Sequence, residues 1–414
     1  MKSKYSFLSL ILLLLFSTQT SFATEPTLEE LRARGPAGLQ ALMTQYAGEI
    51  NRHIADPSLP SDARWQQITA ELDTVAQQKN SYLSGLYWHT DIESAKRASA
   101  ASGKPILSLR LLGKLTDEFS CANSRFFRTV LYSNAEVSAV LRDRFVLHWQ
   151  SVRPVPTVTI DFGDGRKLER TLTGNSIHYI LDSQGRPIEA LPGLYGPQAF
   201  LRGLTNAETF FKSLAGKTDE QRDIMQSLYY SQQHNKIAAG WTVDTVKIDG
   251  KKPEGFRIVR GTNGEALSIA PLAVTKALTE MNILRAMTTA TEELGKITDE
   301  AAWRKIAKLH AADAVLDERS ISLIKRQNPA LTDQEFAGLL QKFQESIALD
   351  TVRNEYLLHT TLYQWFVKDP IRDDVEKLNE QVYAKLFLTP GSDPWLGLFS
   401  ADVYTALDNG GVKQ

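Results

Sequence analysis

Four apolar runs of strand length lie between residues 105 and 193: "PILSLRLL" (105–112), "FVLHWQSV" (145–152), "SIHYILD" (176–182) and "PIEALPG" (187–193). Helical patterns separate or flank them, in "CANSRFFRTVLY" (121–132), "NAEVSAVLRDR" (134–144) and "GPQAFLRGLTNAETFFKSLAG" (196–216). Strands of this length alternating with helices predict an α/β or α+β unit. "TDIESAKRASAASGK" supplies a leading helix, with a capping box expected at Thr90 and Glu93 and Gly103 closing it, and Ser133 and Glu136 are expected to cap "NAEVSAVLRDR". "TVTIDFGDGRKLERTL" (157–172) is a hairpin about its "GDG" turn.

On either side the pattern is helical. Residues 24–83 form an N-terminal helical segment: Thr27 and Glu30 have capping-box spacing, and Leu39, Leu42, Met43, Tyr46 and Ile50 make an apolar stripe. "ARWQQITAELDTVAQQK" follows the Pro/Ser loop 56–62 as a further helix. The α/β unit is expected over 84–214 and a mainly α-helical domain over 215–414. In the latter, "VDTVKIDGKKPEGFRIVRGTNG" (243–264) interrupts the helices as a loop or hairpin. Thr332 and Glu335 cap a stripe of Phe336, Leu339, Leu340, Phe343 and Ile347, and the tail from Leu388 is an irregular cap.

The first 23 residues have another logic. Lys2 and Lys4 precede an apolar run, Phe7–Phe16, and then Ser21-Phe22-Ala23, the order of a secretory signal peptide cleaved after Ala23. The run is about half of the roughly 20 residues that span a bilayer. The protein is therefore expected in a periplasm or outside the cell, with no stable membrane insertion. Cleavage removes two lysines and no acidic residue, moving the formal charge from −1 to −3, so nucleic acid is not an expected partner.

Export allows disulfides, but Cys121 is the only cysteine in 414 residues. Stability must come from the core, and the thiol is either buried and inert or kept for an intermolecular reaction. Ser120 is the expected N-cap, with Cys121 at the first helical position. Free N–H groups there, with Arg125 and Arg128 on or near the same face, would favour a thiolate.

The order of elements around Cys121 resembles the thioredoxin-like fold. Helix, "GKPILSLRLL" strand, loop, cysteine at a helix start, "SNAEVSAVLRDRFVLHW", strand–turn–strand and closing helix carry the likeness over about 84–214. It implies a central mixed sheet flanked by helices, with Cys121 as attacking thiol. Ser124 stands where that family has its resolving cysteine, giving a C-x-x-S pattern, and Ser176 falls near the family's cis-proline position. A serine cannot resolve a mixed disulfide. The resemblance therefore implies monothiol exchange, in which a partner protein or small thiol supplies the second sulfur and Ser124 hydrogen-bonds the thiolate. The alternative is a binding protein on a redox-inactive scaffold. A one-cysteine peroxidase ranks third, since the expected Pro- and Thr-containing loop is missing.

No cofactor or metal is expected. H-E-x-x-H, C-x-x-C, C-x-x-C-H, G-x-x-x-x-G-K-[ST], G-x-G-x-x-G and G-x-S-x-G are all absent from the sequence. His310/Asp313 and Glu355/His359 have helical spacing and are read as surface neighbours. His148 and His178 lie in strands near the thiol, read first as core or edge histidines and second as bases toward Cys121.

Overall fold

The computed structural model describes residues 26–171, 174–249, 300–368, 374–387, 389 and 391–392. The expected leader and nearly all of the expected tail cap lie outside the described residues.

Among the described residues seven strands form: β1 (Trp88–His89), β2 (Ile106–Leu112), β3 (Val146–Arg153), β4 (Thr157–Asp161), β5 (Lys167–Thr171), β6 (Ser176–Leu181) and β7 (Pro187–Pro192). Five make one sheet in the order β1–β3–β2–β6–β7. The first three run parallel, and β6 and β7 run antiparallel to their neighbours. Every residue of β2, β6 and β7 is buried. Burial on both faces explains why these strands read as continuous apolar runs and not as alternating ones. Helix Ile92–Ser102 packs on β2 and β3, and helix Pro197–Ser213 packs on β7. The hairpin forms as expected, but as a separate two-stranded sheet of β4 and β5.

The N-terminal segment is helical at Leu28–Ala33, Pro36–Gln45, Ala47–Ala55 and Ala63–Ala76, with the Thr27–Glu30 capping box present. Leu39, Leu42, Tyr46 and Ile50 pack with Trp65, Ile68 and Leu72, and Leu323 joins them from the C-terminal region. That region is helical at Asp219–Asp249, Glu300–Leu309, Glu318–Gln327, Asp333–Arg353, Thr360–Lys368 and Val375–Gln381. The Thr332–Glu335 box caps the fourth of these. One apolar core runs from Leu86 to Phe387 and unites the sheet with these helices. An α/β unit followed by a mainly helical region is thus the observed architecture. Among the described residues, no helix is long and apolar enough to cross a membrane.

Two local expectations are corrected. Residues 243–249 continue a helix and do not begin a loop or hairpin; Asp244 and Thr245 are buried there, and Asp244 accepts hydrogen bonds from Tyr356 and His310. Residues 250–264 lie outside the described set. Expected caps also move by one residue. Asp91, not Thr90, accepts from Glu93 N and Ser94 N. Asn134, not Ser133, accepts from Glu136 N and Val137 N. In each case the longer Asx side chain reaches two of the free N–H groups of the first turn. The Ser133 hydroxyl is occupied elsewhere, by the Thr129 carbonyl and the Ser320 hydroxyl.

Candidate functional site

Cys121 lies in the turn between β2 and the next helix, its N–H donating to Leu112 O at 3.4 Å at the end of β2. Here too the cap moves. Cys121 itself is the N-cap, with extended backbone, and its Sγ accepts the Ser124 N–H at 3.4 Å. The expected N-cap, Ser120, is buried one residue earlier, and its hydroxyl accepts from Arg128 Nη2 at 3.2 Å. Ser124 therefore reaches the sulfur through its backbone and not its hydroxyl; Ser124 Oγ is buried with no hydrogen-bond partner among the described residues. The helix itself is only Ala122–Phe126 before a π-helical turn, Phe127–Leu131. A five-residue helix offers a sulfur its local N–H groups and little macrodipole beyond them.

The two arginines divide. Arg125 reaches away, donating to Thr171 Oγ1 at the end of β5 at 3.2 Å. Arg128 is buried beside the thiol, held also by Glu118 O at 3.3 Å. Burial lowers its pKa, with Cys121 among the groups acting on it electrostatically. The 174–176 loop faces the helix start. Asn123 Nδ2 donates to Ser176 Oγ at 2.9 Å, and a Cβ on Gly174 would lie 3.0 Å from Asn123 Oδ1, so a larger residue there would make Asn123 shift.

Cys121 has no exposed surface. Residues 375–387 and 389, from the far end of the chain, pack on the neighbouring strand and loop as a cover, with Tyr383 near the thiol. Tyr383 OH donates to Asn175 O at 3.1 Å, and its pKa is pushed up, first by burial and then by Cys121. Asn175 Nδ2 donates to Thr389 Oγ1 at 3.2 Å, and Arg153 Nη2 to Thr389 O at 3.0 Å. On β2, the fully buried Arg110 reaches Glu376 Oε1 at 2.5 Å; burial lowers its pKa, and its Nε and Nη1 have no hydrogen-bond partner among the described residues. Val375, Leu378, Val382, Tyr383, Leu386 and Phe387 of the cover are all buried. At roughly 1.5–3 kcal/mol each, they represent about 9–18 kcal/mol, an upper estimate. Ordering the chain that carries them offsets much of this gross figure, and the remainder opposes local opening of the segment.

The histidines are engaged away from the sulfur. His148 Nδ1 is 2.8 Å from Ser108 Oγ, and His178 Nε2 is 2.7 Å from Tyr132 OH. His310 sits between Asp244 (2.6 Å) and Asp313 (3.6 Å), with Arg202 forked onto Asp313 at 2.5 and 2.7 Å. His359 contacts Glu189 of β7 at 3.2 Å, and Tyr363 OH donates to the same carboxylate. Among the described residues no group of His, Cys, Asp and Glu could hold a metal ion. A cleft of about 420 Å³ opens in the helical region, lined by Arg304, Lys308, Gln344 and Glu345 together with Ala307 and Ala348.

Of the residues expected around Cys121, the structure places Ser120, Ser124 and Arg128 close to it and turns Arg125 toward Thr171. Sequence reasoning missed Arg110, although one charge inside the apolar run "PILSLRLL" marks it, and it missed Glu376 and Tyr383, which no local pattern marks. Compared with family models, curated proteins and solved structures, the chain matches none of them.

Proposed function

We propose that the chain is an exported binding protein whose α/β unit follows the thioredoxin-like plan as a scaffold, with Cys121 a structural residue and not an exchange catalyst. One observation carries this: Cys121 has no exposed surface, and Tyr383 of the buried segment 375–387 lies near it. The sheet order β1–β3–β2–β6–β7, with a cysteine at the helix start after β2, supports the thioredoxin-like assignment. The absence of a second cysteine agrees with a scaffold that has no resolving step. Partner binding falls to the helical region, where the cleft lined by Arg304, Lys308 and Glu345 offers both charges beside Ala307 and Ala348.

Monothiol exchange is the second reading. The Ser124 N–H on Sγ and the buried Arg128 favour it, because both would stabilise a thiolate. Iodoacetamide alkylation of the mature protein at pH 8 separates the two. The scaffold predicts a native rate at least about 10³-fold below that of the urea-unfolded chain, because the buried thiol is reached only when packed structure opens. A native rate within tenfold of the unfolded one would reject the scaffold and call for trapping of mixed disulfides. Intact mass of the exported protein tests the leader; a chain beginning at Thr24 is expected.

A further inference from the structure

The ribbon of β4 and β5 stands apart from the main sheet and has two different edges. Its register is Thr157↔Thr171, Val158↔Arg170, Thr159↔Glu169, Ile160↔Leu168 and Asp161↔Lys167, and Phe162 N–H closes the turn on Arg166 O at 3.1 Å. Hydrogen-bonded and non-hydrogen-bonded pairs alternate along an antiparallel ladder. Counting from the Phe162–Arg166 pair, Val158 and Ile160 turn their backbone groups inward to β5. Thr157, Thr159 and Asp161 turn theirs outward, and all three are exposed. Among the described residues no other strand pairs with this edge.

Edge strands are usually blunted by lysine, proline or inward charge. The edge of β5 has such residues in Lys167, Glu169 and Arg170, and Arg125 engages Thr171 at its end. β4 reads "TVTID" and has none until its last residue. Its alternate residues Val158 and Ile160 share a half-buried face with Leu168. A lone two-stranded ribbon is at best marginally stable, and three or more strands with an apolar face are needed for independent stability.

We propose that two copies of the chain associate by antiparallel pairing of β4 with β4, about a two-fold axis at Thr159. In that register the outward groups meet as hydrogen-bonded pairs: Thr159 with the partner's Thr159, and Thr157 with the partner's Asp161. Val158 faces the partner's Ile160 at the closer, non-hydrogen-bonded spacing, so both apolar side chains are covered twice by symmetry. One residue further along, Phe162, 54% exposed in the single chain, comes opposite the partner's Pro156. No like charges face each other. The same operation on β5 would set Glu169 against the partner's Glu169, which is destabilising. The edge that is chemically open is therefore the one that is self-complementary, and pairing it turns two ribbons into one four-stranded sheet.

Sedimentation equilibrium of the mature protein over a range of concentrations tests this, with Val158→Glu, Ile160→Lys and the double variant beside it. These positions lie outside the apolar core, and thermal melting of each variant verifies its fold. A reversible dimer is expected. Each single substitution should raise its dissociation constant by on the order of tenfold or more, since symmetry applies each change twice. The double variant sets each new carboxylate opposite the partner's new ammonium and should recover most of the loss. A monomer at every concentration, a dimer indifferent to both single changes, or single losses without recovery in the double variant would each overturn the proposal.

Discussion

Acidification from pH 7 to pH 5 is expected to cost the folded chain roughly 2–3 kcal/mol. His148 and His178 are the cause. Each is buried on the central sheet with one neutral hydrogen-bond partner, Ser108 and Tyr132 respectively. Burial pushes both imidazoles down to about 3, with Arg110 adding to the effect at His148. A folded pKa below the unfolded value of about 6.5 contributes stability that is fully present above 6.5 and is lost as pH falls toward 3. At pH 5 each histidine has lost about 2 kcal/mol. Asp73 acts in the opposite sense. Burial raises its carboxyl to about 6, so its contribution is present below its unfolded pKa and is lost as pH rises through 6; at pH 5 it returns about 1 kcal/mol. His310 limits the alkaline side. Hydrogen bonding to Asp313, and then to Asp244, raises it to about 9 against the desolvation of partial burial. Its stabilisation is present below about 6.5 and lost as pH rises through 9, and at this half-exposed position it amounts to no more than about 1 kcal/mol. Urea midpoints measured from pH 4 to 10 should therefore peak near neutrality and fall most steeply on the acid side. His148→Gln should remove about half of the acid slope. A flat profile between pH 7 and 5 would mean that the two imidazoles are not held neutral.

Glu376→Ala should destabilise the protein by about 2–3 kcal/mol. It strands the guanidinium of Arg110, which has no exposed surface and loses its only ion-pair partner among the described residues. Breaking a fully buried pair costs about 3–5 kcal/mol. The lower figure applies because Glu376 is itself 55% exposed, so water reaches one side of the pair. Replacing both residues, as Arg110→Met with Glu376→Ala, should recover most of the loss, because removing the charge also removes the need to solvate it. Chemical denaturation of the three variants checks this, and a Glu376→Ala protein as stable as the parent would count against a dry Arg110. The single variant should also leave native alkylation of Cys121 slow. The ion pair orients the cover, while the six apolar side chains hold it.

The strands were legible because burial on both faces leaves an unbroken apolar run whose length separates it from a helix, as in "PILSLRLL" and "SIHYILD". The capping boxes at Thr27 and Thr332 were legible too, each with one hydroxyl and one glutamate at the right spacing. Where two candidates stood side by side, at Thr90/Asp91, Ser120/Cys121 and Ser133/Asn134, the choice lay beyond local pattern. At the last two it was made by which side chain had another partner: Ser133 is drawn to Ser320 and Ser120 to Arg128. The site was half legible for the same reason. Cys121 and Arg128 are close in sequence, and the turn of a helix brings them together. Glu376 and Tyr383 arrive from the other end of the chain, and nothing in "VEKLNEQVYAKL" signals a cover for a sheet built so much earlier.

That separation has a consequence in time. Arg110 and Glu376 are 266 residues apart. At about 5–20 residues per second, the ribosome finishes the second roughly 10–50 s after the first. Through that interval the central strand, its arginine and the thiol beside it have no lid, and long-range closure of this kind is slow even once the whole chain is available. Oxidants that cannot touch Cys121 in the finished protein can touch it in the nascent one. On the scaffold reading, the single thiol meets oxidative chemistry during biogenesis and not afterwards.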